Sequence, residues 1–498
     1  MTRLSPELLG ELPAGVDVPS YDRQKLKPRI VHLGIGAFHR AHQAVYLDDL
    51  LNKQGGDWGI VGVSLRSDSV AKQLLPQGGL YTQLEKGAEN QFRIIGSVID
   101  VVVAPEDPDA VIQAIADQHT GLVSLTITEK GYCHNPATGT LLIDHPEIQQ
   151  DITNNLQRPV SAVGFIVAGL KQRYEQGFPG ITVLSCDNLP NNGHVLRCVV
   201  SELARIIDPK LSEWIDKHVT FPCSMVDRIV PATTDADLTC VRERLGVVDK
   251  GVVSCEPFSQ WVVQNQFAQP VPDYAAVGVL LTQDVSAYEK IKLRLLNGSH
   301  SLIAYFGYVN GFDFVHQVVN QSVFLALIQR YMTEAQSVLG APTSFDIEGY
   351  KSQLIERFKN PALQHQTYQI AMDGSQKIPQ RWLETLTLLL QNGRDTQLFA
   401  LLIAGWITYL QGKRINGDSF EVMDPMAKQL KTLLEVPGSS GDLKADQSTV
   451  DAVMTCQAIF GNLSQRAPGL VQQVNHQYRI LNEQGAIAAI HALLGTID

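Results

Sequence analysis

A lysine, an asparagine and a histidine lie close together in an otherwise apolar stretch, as Lys292, Asn297 and His300. If residues 289–300 form one regular α-helix, Asn297 lies about 140° and His300 about 80° around its axis from Lys292. Leucine and isoleucine side chains cover the remaining surface, and a helix that is apolar on nearly every side belongs in a protein interior. Burial lowers the pKa of a lysine toward the range of a general base, while an amide and an imidazole can hold a hydroxyl or carbonyl group. The alternative is a surface helix whose lysine extends its ammonium into water.

The elements that must position these residues begin with a predicted dinucleotide-binding unit. Residues 29–33 are typical of a short buried strand, and a glycine turn and an amphipathic helix follow. Gly34 permits the tight turn, and Gly36 lets the backbone approach a pyrophosphate. The usual third glycine is replaced by His39, so a plain strand–turn–helix unit is the alternative.

Two histidines in this helix, His39 and His42, raise the question of a metal site. No third ligand or carboxylate lies nearby in the sequence, so we expect no metal here. We expect His39 to pack and to contact phosphate, with Arg40 as a further phosphate contact.

Polar residues follow two more predicted strands, at 59–65 and 121–127. Ligands collect at the carboxyl ends of strands in an open parallel sheet, so Thr128 and Glu129 are expected to border the cofactor. The alternative is a purely structural loop.

The first of these strands ends at Arg66 and Asp68, which we assign to the adenosine side of the cofactor. A carboxylate there accepts hydrogen bonds from the ribose and disfavours a 2′-phosphate, which favours NAD over NADP. Its neighbour Ser69 is not acidic, and a cap on the following helix is the alternative role of Asp68.

Composition and charge exclude several classes of function. The chain has 498 residues, 44% hydrophobic and 18% charged, and a formal net charge of −11. The length favours two or more domains, and the charge argues against nonspecific binding to nucleic acid or to anionic membranes. Seven scattered cysteines without C-x-x-C spacing, and no apparent export signal, indicate reduced thiols in the cytoplasm.

The pattern changes near residue 285, where long amphipathic helices replace the alternation of strands and helices. We therefore predict an α/β protein with an N-terminal Rossmann-like domain, 1–284, and a mainly α-helical C-terminal domain, 285–498. The longest apolar run, 398–410, is too short to span a bilayer and indicates a buried helix.

The motif Lys-x-x-x-x-Asn-x-x-His resembles the signature of the mannitol dehydrogenase family of polyol-specific long-chain dehydrogenases. The segment 34–42, Gly-x-Gly-x-Phe-His-Arg-Ala-His, is similar to the glycine turn of that family and adds Phe38 to the expected cofactor contacts. The resemblance runs through nearly the whole chain. It implies NAD as cofactor, metal-independent chemistry, and Lys292 as general acid and base.

The same resemblance implies roles for residues that the pattern alone does not assign. Asn188 matches a substrate-binding asparagine of the family, Asp227 a substrate-binding aspartate, and Lys377 a lysine in an Asp-Gly-Ser-x-Lys context. Asn188 and Asn297 would donate hydrogen bonds to a developing alkoxide, and His300 would orient a neighbouring hydroxyl.

A second cation, Arg381, follows Lys377 and makes the sequence resemble the sugar-acid branch, the fructuronate reductases. An Arg–Lys pair can neutralise the carboxylate of a hexuronate, although a solvated basic loop is the alternative. Glu289 either relays protons or forms an ordinary ion pair with Lys292.

The expected partner is therefore a small-molecule sugar acid or polyol, with D-fructuronate and D-mannonate as the expected pair. The alternatives are a mannitol 2-dehydrogenase, a tagaturonate reductase and, outside the enzymes, an NAD-binding sensor. The oligomeric state stays open; members of the family are often monomers, which favours a monomer.

Overall fold

The chain divides into two compact units, Met1–Ser286 and Ala287–Asp498. The computed structural model describes residues 2–136, 138–342, 345–435 and 443–495, apart from the side chains of 443–446. The functional division predicted from the sequence, 1–284 and 285–498, stays a prediction.

The first unit contains all the strands of the described residues. They are β1 Val16–Asp17, β2 Lys27–Leu33, β3 Trp58–Ser64, β4 Tyr81–Lys86, β5 Asn90–Ile95, β6 Val98–Val103, β7 Leu122–Leu125, β8 Thr182–Ser185, β9 Ser224–Asp227, β10 Val253–Cys255, β11 Gln260–Gln264 and β12 Leu280–Thr282. Five of them form a wholly parallel sheet in the order β6-β3-β2-β7-β8. Two smaller sheets have the orders β1-β5-β4-β10 and β12-β11-β9.

The helices of the first unit are α1 Ala37–Ala41, α2 Gln43–Gln54, α3 Ser69–Leu74, α4 Pro108–Ala116, α5 Pro146–Thr153, α6 Ala162–Glu175, α7 Asn192–Ile207, α8 Pro209–His218 and α9 Asp235–Leu245. Alternate residues of the parallel strands face opposite sides of the sheet. Val31 and Val123 belong to one buried cluster with residues of α4, α6 and α7, whereas Ile30 and Leu122 belong to another with residues of α2. A parallel sheet covered on both faces explains why its strands are apolar runs. The predicted Rossmann-like fold is confirmed.

The second unit is mainly helical in its described residues, and none of these residues belongs to a strand. Its helices are α10 Ser286–Ile291, which starts at the unit boundary, α11 Gly298–Val309, α12 Val315–Val319, α13 Ser322–Gln336, α14 Ile347–Lys359, α15 Thr367–Ala371, α16 Gly374–Ile378, α17 Glu384–Gln391, α18 Gln397–Leu410, α19 Ala427–Leu434, α20 Leu443–Met454, α21 Gln457–Phe460, α22 Leu463–Arg466 and α23 Pro468–Leu494. The apolar run at 398–410 lies in α18, which packs against α11 and α23. Among the described residues, no helix reaches the length and apolarity that a membrane crossing requires.

Two segments of the second unit are π-helical rather than α-helical, Lys292–Asn297 and Pro379–Leu383. The expectation of one regular α-helix over 289–300 is therefore wrong. In the first segment, the backbone N–H of Gly298 donates to the carbonyl of Leu293, five residues earlier. A π turn winds by only about 80° per residue, so it changes which side chains share a face.

Side chains from neighbouring elements donate hydrogen bonds to one carbonyl group in the first π turn and to one directly after it. The Tyr331 hydroxyl donates to the carbonyl oxygen of Arg294 at 2.7 Å, and the Trp382 indole N–H donates to that of Gly298 at 3.0 Å. A Cβ atom at Gly298 would overlap the Tyr331 hydroxyl, so this approach requires glycine. The two π segments are thus connected by side chains that belong to the same unit.

A buried histidine lies in the middle of the parallel sheet. The ring nitrogens of His32, on β2, are 2.8 Å from the Ser124 hydroxyl and 2.9 Å from the Thr126 hydroxyl, and the ring stacks on His39. Burial lowers the pKa of His32 to about 3. At a pH between about 3 and about 6.5, this histidine is protonated in the unfolded chain but not in the folded chain.

We expect this histidine to make the first unit less stable as the pH falls below about 6.5. In the wild type, the free energy of unfolding should fall between about pH 7 and about pH 5. In the variant His32→Gln, this fall should be smaller by about 1–2 kcal/mol. Urea unfolding at the two pH values measures the difference. The control is His119→Gln, because His119 is exposed, and an equal pH dependence in all three proteins would contradict the prediction.

We expect Tyr331→Phe to destabilise the second unit by about 1–3 kcal/mol, because it leaves a buried carbonyl group without its partner. Tyr305→Phe is a matched control: Tyr305 is also fully buried in this unit, but its hydroxyl has no hydrogen-bond partner among the described residues. Thermal unfolding of both variants measures the difference. Equal stability of the two would show that the Tyr331 hydrogen bond does not support the π turn.

Candidate active site

A pocket of about 260 Å³ lies at the carboxyl ends of β2, β3 and β7 in the first unit. From β2, the strands β3 and β6 follow on one side of the sheet, and β7 and β8 follow on the other. Open α/β sheets bind ligands at the point between two such neighbours, here β2 and β7. Of the predicted cofactor contacts, four line this pocket: Gly34, Gly36, Arg66 and Thr128.

The glycine turn fits a dinucleotide. Gly34 has a φ of +91°, and a Cβ atom there would overlap the carbonyl of Thr126. Gly36 is exposed, and an added Cβ would meet nothing closer than 3.9 Å within the protein. The first glycine is thus required by the fold, whereas the second leaves an open backbone surface that a pyrophosphate can approach.

Three predicted contacts in the following helix point into the protein. His39 is buried against His32, and Phe38 stacks on His42. The guanidinium of Arg40 is buried and donates to the carbonyl oxygen of Gly251 at 2.6 Å. These contacts support packing roles, and phosphate contact by His39 and Arg40 stays a prediction.

The two candidates for the adenosine side each form an ion pair. Asp68 pairs with Lys72 at 2.6 Å and makes no side-chain cap on α3, so capping is not the role of its carboxylate. Arg66 pairs with Glu147 at 2.6 Å. Both side chains are at least partly exposed, so each can contact a cofactor while it keeps its present partner.

The loop after β7 is held by an aspartate that sequence reasoning did not assign. Asp187 accepts hydrogen bonds from the backbone N–H groups of Ile127 and Thr128, each at 2.9 Å, and from the Tyr132 hydroxyl. Thr128 has a φ of +63°, a conformation that non-glycine residues rarely adopt. Asp187 therefore stabilises the strained backbone that presents Thr128 and the exposed Glu129. Its place at the end of a strand was the only signal in the sequence.

The other substrate candidates of the first unit lie at the ends of β8 and β9. Asn188 is exposed, and Asp227 is buried. Asn192 connects the segment after β8 to the start of β9: its amide donates to the Asp187 carbonyl at 3.1 Å and to the Ser224 carbonyl at 2.8 Å, and it accepts from the Ser224 N–H at 3.0 Å.

In the second unit, the π turn brings the three signature residues onto one side of their helix. With about 80° per residue through the π turn and about 100° beyond it, Asn297 and His300 lie about 40° and about 20° from Lys292. A regular α-helix would have separated them more widely. Lys292 and His300 are 8% and 7% exposed, which agrees with the predicted interior position.

His300 is a neutral hydrogen-bonding group in this environment. Burial, with the positive charges of His365, Arg381, Arg357 and Lys292, lowers the pKa of His300 well below its usual range. Its Nε2 atom is buried without a hydrogen-bond partner among the described residues, so it is suited to a hydroxyl group of a ligand. The sequence did not point to His365 or Arg357, because both are distant along the chain.

The two cations predicted to bind a carboxylate are both half-buried. Arg381, in the second π segment, donates to the Ser301 hydroxyl at 2.9 Å and to the Asn297 carbonyl at 3.2 Å. The ammonium of Lys377 donates to the carbonyl oxygen of Ile370 at 3.2 Å. Arg381 is thereby connected to the signature helix, while Lys377 is attached to α15.

Comparison with known proteins finds relatives of both units. The mannitol dehydrogenase Rossmann domain matches residues 28–275, and the mannitol dehydrogenase C-terminal domain matches residues 284–482. The chain is 44% identical to an uncharacterized oxidoreductase, YeiQ, of Escherichia coli K12, with 96% of this chain and 97% of that protein covered. It is 42% identical to the D-mannonate oxidoreductase of the same organism, with 95% and 97% covered.

A solved structure is similar over the full length of both chains. It is the ternary complex of Pseudomonas fluorescens mannitol 2-dehydrogenase with NAD and D-mannitol, at 36% identity and a TM-score of 0.88. With both domains matched in order and relatives above 40% identity along nearly the whole chain, this protein belongs to the mannitol dehydrogenase family of oxidoreductases.

Proposed function

We propose that the protein is an NAD-dependent secondary-alcohol dehydrogenase that interconverts D-fructuronate and D-mannonate without a metal in the reaction. The likeness to a D-mannonate oxidoreductase supports the substrate, and the likeness to a mannitol 2-dehydrogenase in complex with NAD supports the cofactor. The seven free cysteines support a reducing, cytoplasmic location as part of the same proposal.

The observation that carries the choice of substrate is the charge around His300. Lys292, Arg357 and Arg381 each place a positive charge near this imidazole. A hexuronate brings a carboxylate that such a cluster attracts, whereas a neutral ketose brings none. Arg381 is the candidate for direct carboxylate binding, because a guanidinium can donate two parallel hydrogen bonds.

The cofactor is assigned to the pocket at the carboxyl ends of β2, β3 and β7. Gly34 and Gly36 would accommodate the pyrophosphate, and Arg66 and Asp68 the adenosine ribose. When bound there, NAD would supply the chemistry of hydride transfer to and from the alcohol carbon of the substrate.

The proton is assigned to Lys292. In reduction its ammonium gives a proton to the oxygen of the former carbonyl, and in oxidation the neutral amine removes it. Asn188 and Asn297 donate hydrogen bonds to that oxygen as its negative charge develops. The neutral imidazole of His300 orients an adjacent hydroxyl, and Asp227 and Lys377 bind the remainder of the substrate.

A neutral polyol pair, fructose and mannitol, is the second candidate. It is supported by the full-length likeness to a mannitol 2-dehydrogenase bound to D-mannitol. Relatives with that name are also 40% identical over 85% of this chain, including one from Aspergillus fumigatus.

We expect Lys292→Ala to lower kcat by a factor of about 10²–10⁴, because a positioned acid or base contributes about that much. Lys290→Ala is the matched control, since Lys290 is an exposed lysine in the same stretch. Steady-state NADH oxidation with D-fructuronate gives kcat, and circular dichroism verifies folding. Turnover near that of the wild type in a folded Lys292→Ala protein would remove this residue from the mechanism.

We expect Arg381→Gln to raise KM for D-fructuronate by about 10–100-fold, because a charge-assisted hydrogen bond is lost. The KM for D-fructose, or its inhibition constant if turnover is slow, should change by less than about threefold. The control is Arg394→Gln, which replaces an exposed arginine of the same unit. An equal loss for both substrates would favour the neutral polyol pair.

A further inference from the structure

Three potential metal ligands lie together beside the pocket of the first unit: Cys133, His145 and Glu147. One ligand atom from each lies within 4.8 Å of the others. Cys133 is buried at the end of the loop after β7, whereas His145 and Glu147 are half-buried at the start of α5. Neither the glycine turn nor the signature helix includes any of these residues.

The spacing is close to that of a tetrahedral site. Zn²⁺ bonds of about 2.3 Å to sulfur and about 2.0–2.1 Å to nitrogen or oxygen place ligand atoms about 3.3–3.8 Å apart. Small side-chain rotations would bring the three ligand atoms to that spacing. A water molecule would fill the fourth position, as in other sites with three protein ligands.

We propose that Cys133, His145 and Glu147 bind a thiophilic divalent cation of the Zn²⁺ type, and that its binding inhibits the enzyme by weakening the contact through which Glu147 positions Arg66. A thiolate, an imidazole and a carboxylate together select Zn²⁺ or Co²⁺ over Mg²⁺ and Ca²⁺, which prefer oxygen ligands. The inhibitory half of this proposal rests on the function proposed above, whereas the binding half does not.

The charges around the sulfur favour a cation. The carboxylates of Glu147 and Asp151 both act on Cys133, and Arg66 is the opposing positive group. On binding, the Cys133 thiol loses its proton to solvent and the sulfur forms a bond to the metal, so one proton is released for each ion bound. The electron count of the protein does not change.

Metal binding would alter two existing contacts. The Nδ1 atom of His145 accepts a long hydrogen bond, 3.3 Å, from the Glu147 N–H. If Nε2 binds the metal, the ring proton occupies Nδ1, which then cannot accept a hydrogen bond. If Nδ1 binds the metal, its lone pair forms the bond to the metal. In both cases the hydrogen bond from the Glu147 N–H is lost. The second contact is the ion pair between Arg66 and Glu147 at 2.6 Å.

The weakening of that ion pair connects the metal to the pocket. Arg66 lines the pocket, and Glu147 holds its guanidinium. A dication bound to Glu147 weakens its hold on Arg66 and repels the guanidinium, which then leaves the position from which it is proposed to contact the adenosine of the cofactor. Zn²⁺ is therefore expected to raise KM for NADH.

The test is a titration of the untagged, chelator-treated enzyme with Zn²⁺ in a calorimeter, and with Co²⁺ followed by the thiolate-to-cobalt charge-transfer absorption. We expect Cys133→Ser to weaken Zn²⁺ binding by about tenfold or more and to abolish the absorption band. If Cys133→Ser fails to fold, His145→Gln takes its place, and we expect it to weaken Zn²⁺ binding to a similar extent.

The matched control is Cys198→Ser. Cys198 lies 3.5 Å from the carboxylate of Glu202, so it is a thiol beside a carboxylate but outside the proposed site. This variant should retain Zn²⁺ binding, the cobalt band and the release of one proton. Equal Zn²⁺ affinity in the wild type and in both variants of the proposed site, or a wild type without the cobalt band, would overturn the binding site.

The inhibitory half has its own readout. Zn²⁺ at saturation should raise the dissociation constant of NADH, measured by protein-to-NADH energy transfer, by about threefold or more in the wild type and not in Cys133→Ser. If the dissociation constant of NADH is unchanged in the zinc-loaded wild type, Zn²⁺ does not inhibit cofactor binding. This result would overturn the inhibitory half of the proposal but not the metal site. Because both titrations need no sugar substrate, failure of the proposed reaction leaves them interpretable.

Discussion

The arrangement of the signature residues depends on one backbone irregularity, the π turn at 292–297. It places Asn297 and His300 on the side of Lys292, which a regular α-helix would not do. Such a turn is less favourable than α-helix, and the hydrogen bonds that the Tyr331 hydroxyl and the Trp382 indole donate to nearby carbonyl groups offset this. Each contributes about 0.5–1.5 kcal/mol net. The local geometry is thus fixed by residues that do not themselves take part in the proposed chemistry.

The buried surroundings of the signature residues favour different proposed roles for His300 and Lys292. His300 stays neutral near pH 7, because burial and the surrounding positive charges oppose its protonation. It is therefore suited to hydrogen bonding rather than to proton transfer at that pH. Lys292, the other base on this face, is the proposed proton carrier, and a substrate with a negative charge would offset the cations.

The sequence predicted the fold class and the polar strand ends, because both follow from local patterns. Apolar runs separated by amphipathic segments specify a parallel sheet, and Gly34 at a strand end marks the turn. The π turn was missed because its partners, Tyr331 and Trp382, are far away in the chain. Asp187 was missed for the same reason: its hydrogen bonds go to a loop about 60 residues earlier. The directions of side chains, such as the buried guanidinium of Arg40, depend on packing that no local pattern contains.

Weak ion pairs beside the pocket at β2, β3 and β7 bear on the proposed choice between NAD and NADP. Asp68 pairs with Lys72, and Arg66 pairs with Glu147, so both groups assigned to the adenosine ribose have partners within their own unit. Because these pairs are partly exposed, solvent screens them, and each group can contact a ligand while it stays paired. A 2′-phosphate would gain Arg66 but meet the carboxylates of Asp68 and Glu147, whereas a ribose hydroxyl can donate to Asp68. The proposed preference for NAD thus depends on two carboxylates, and the cation proposed to bind Glu147 would offset the charge of one of them.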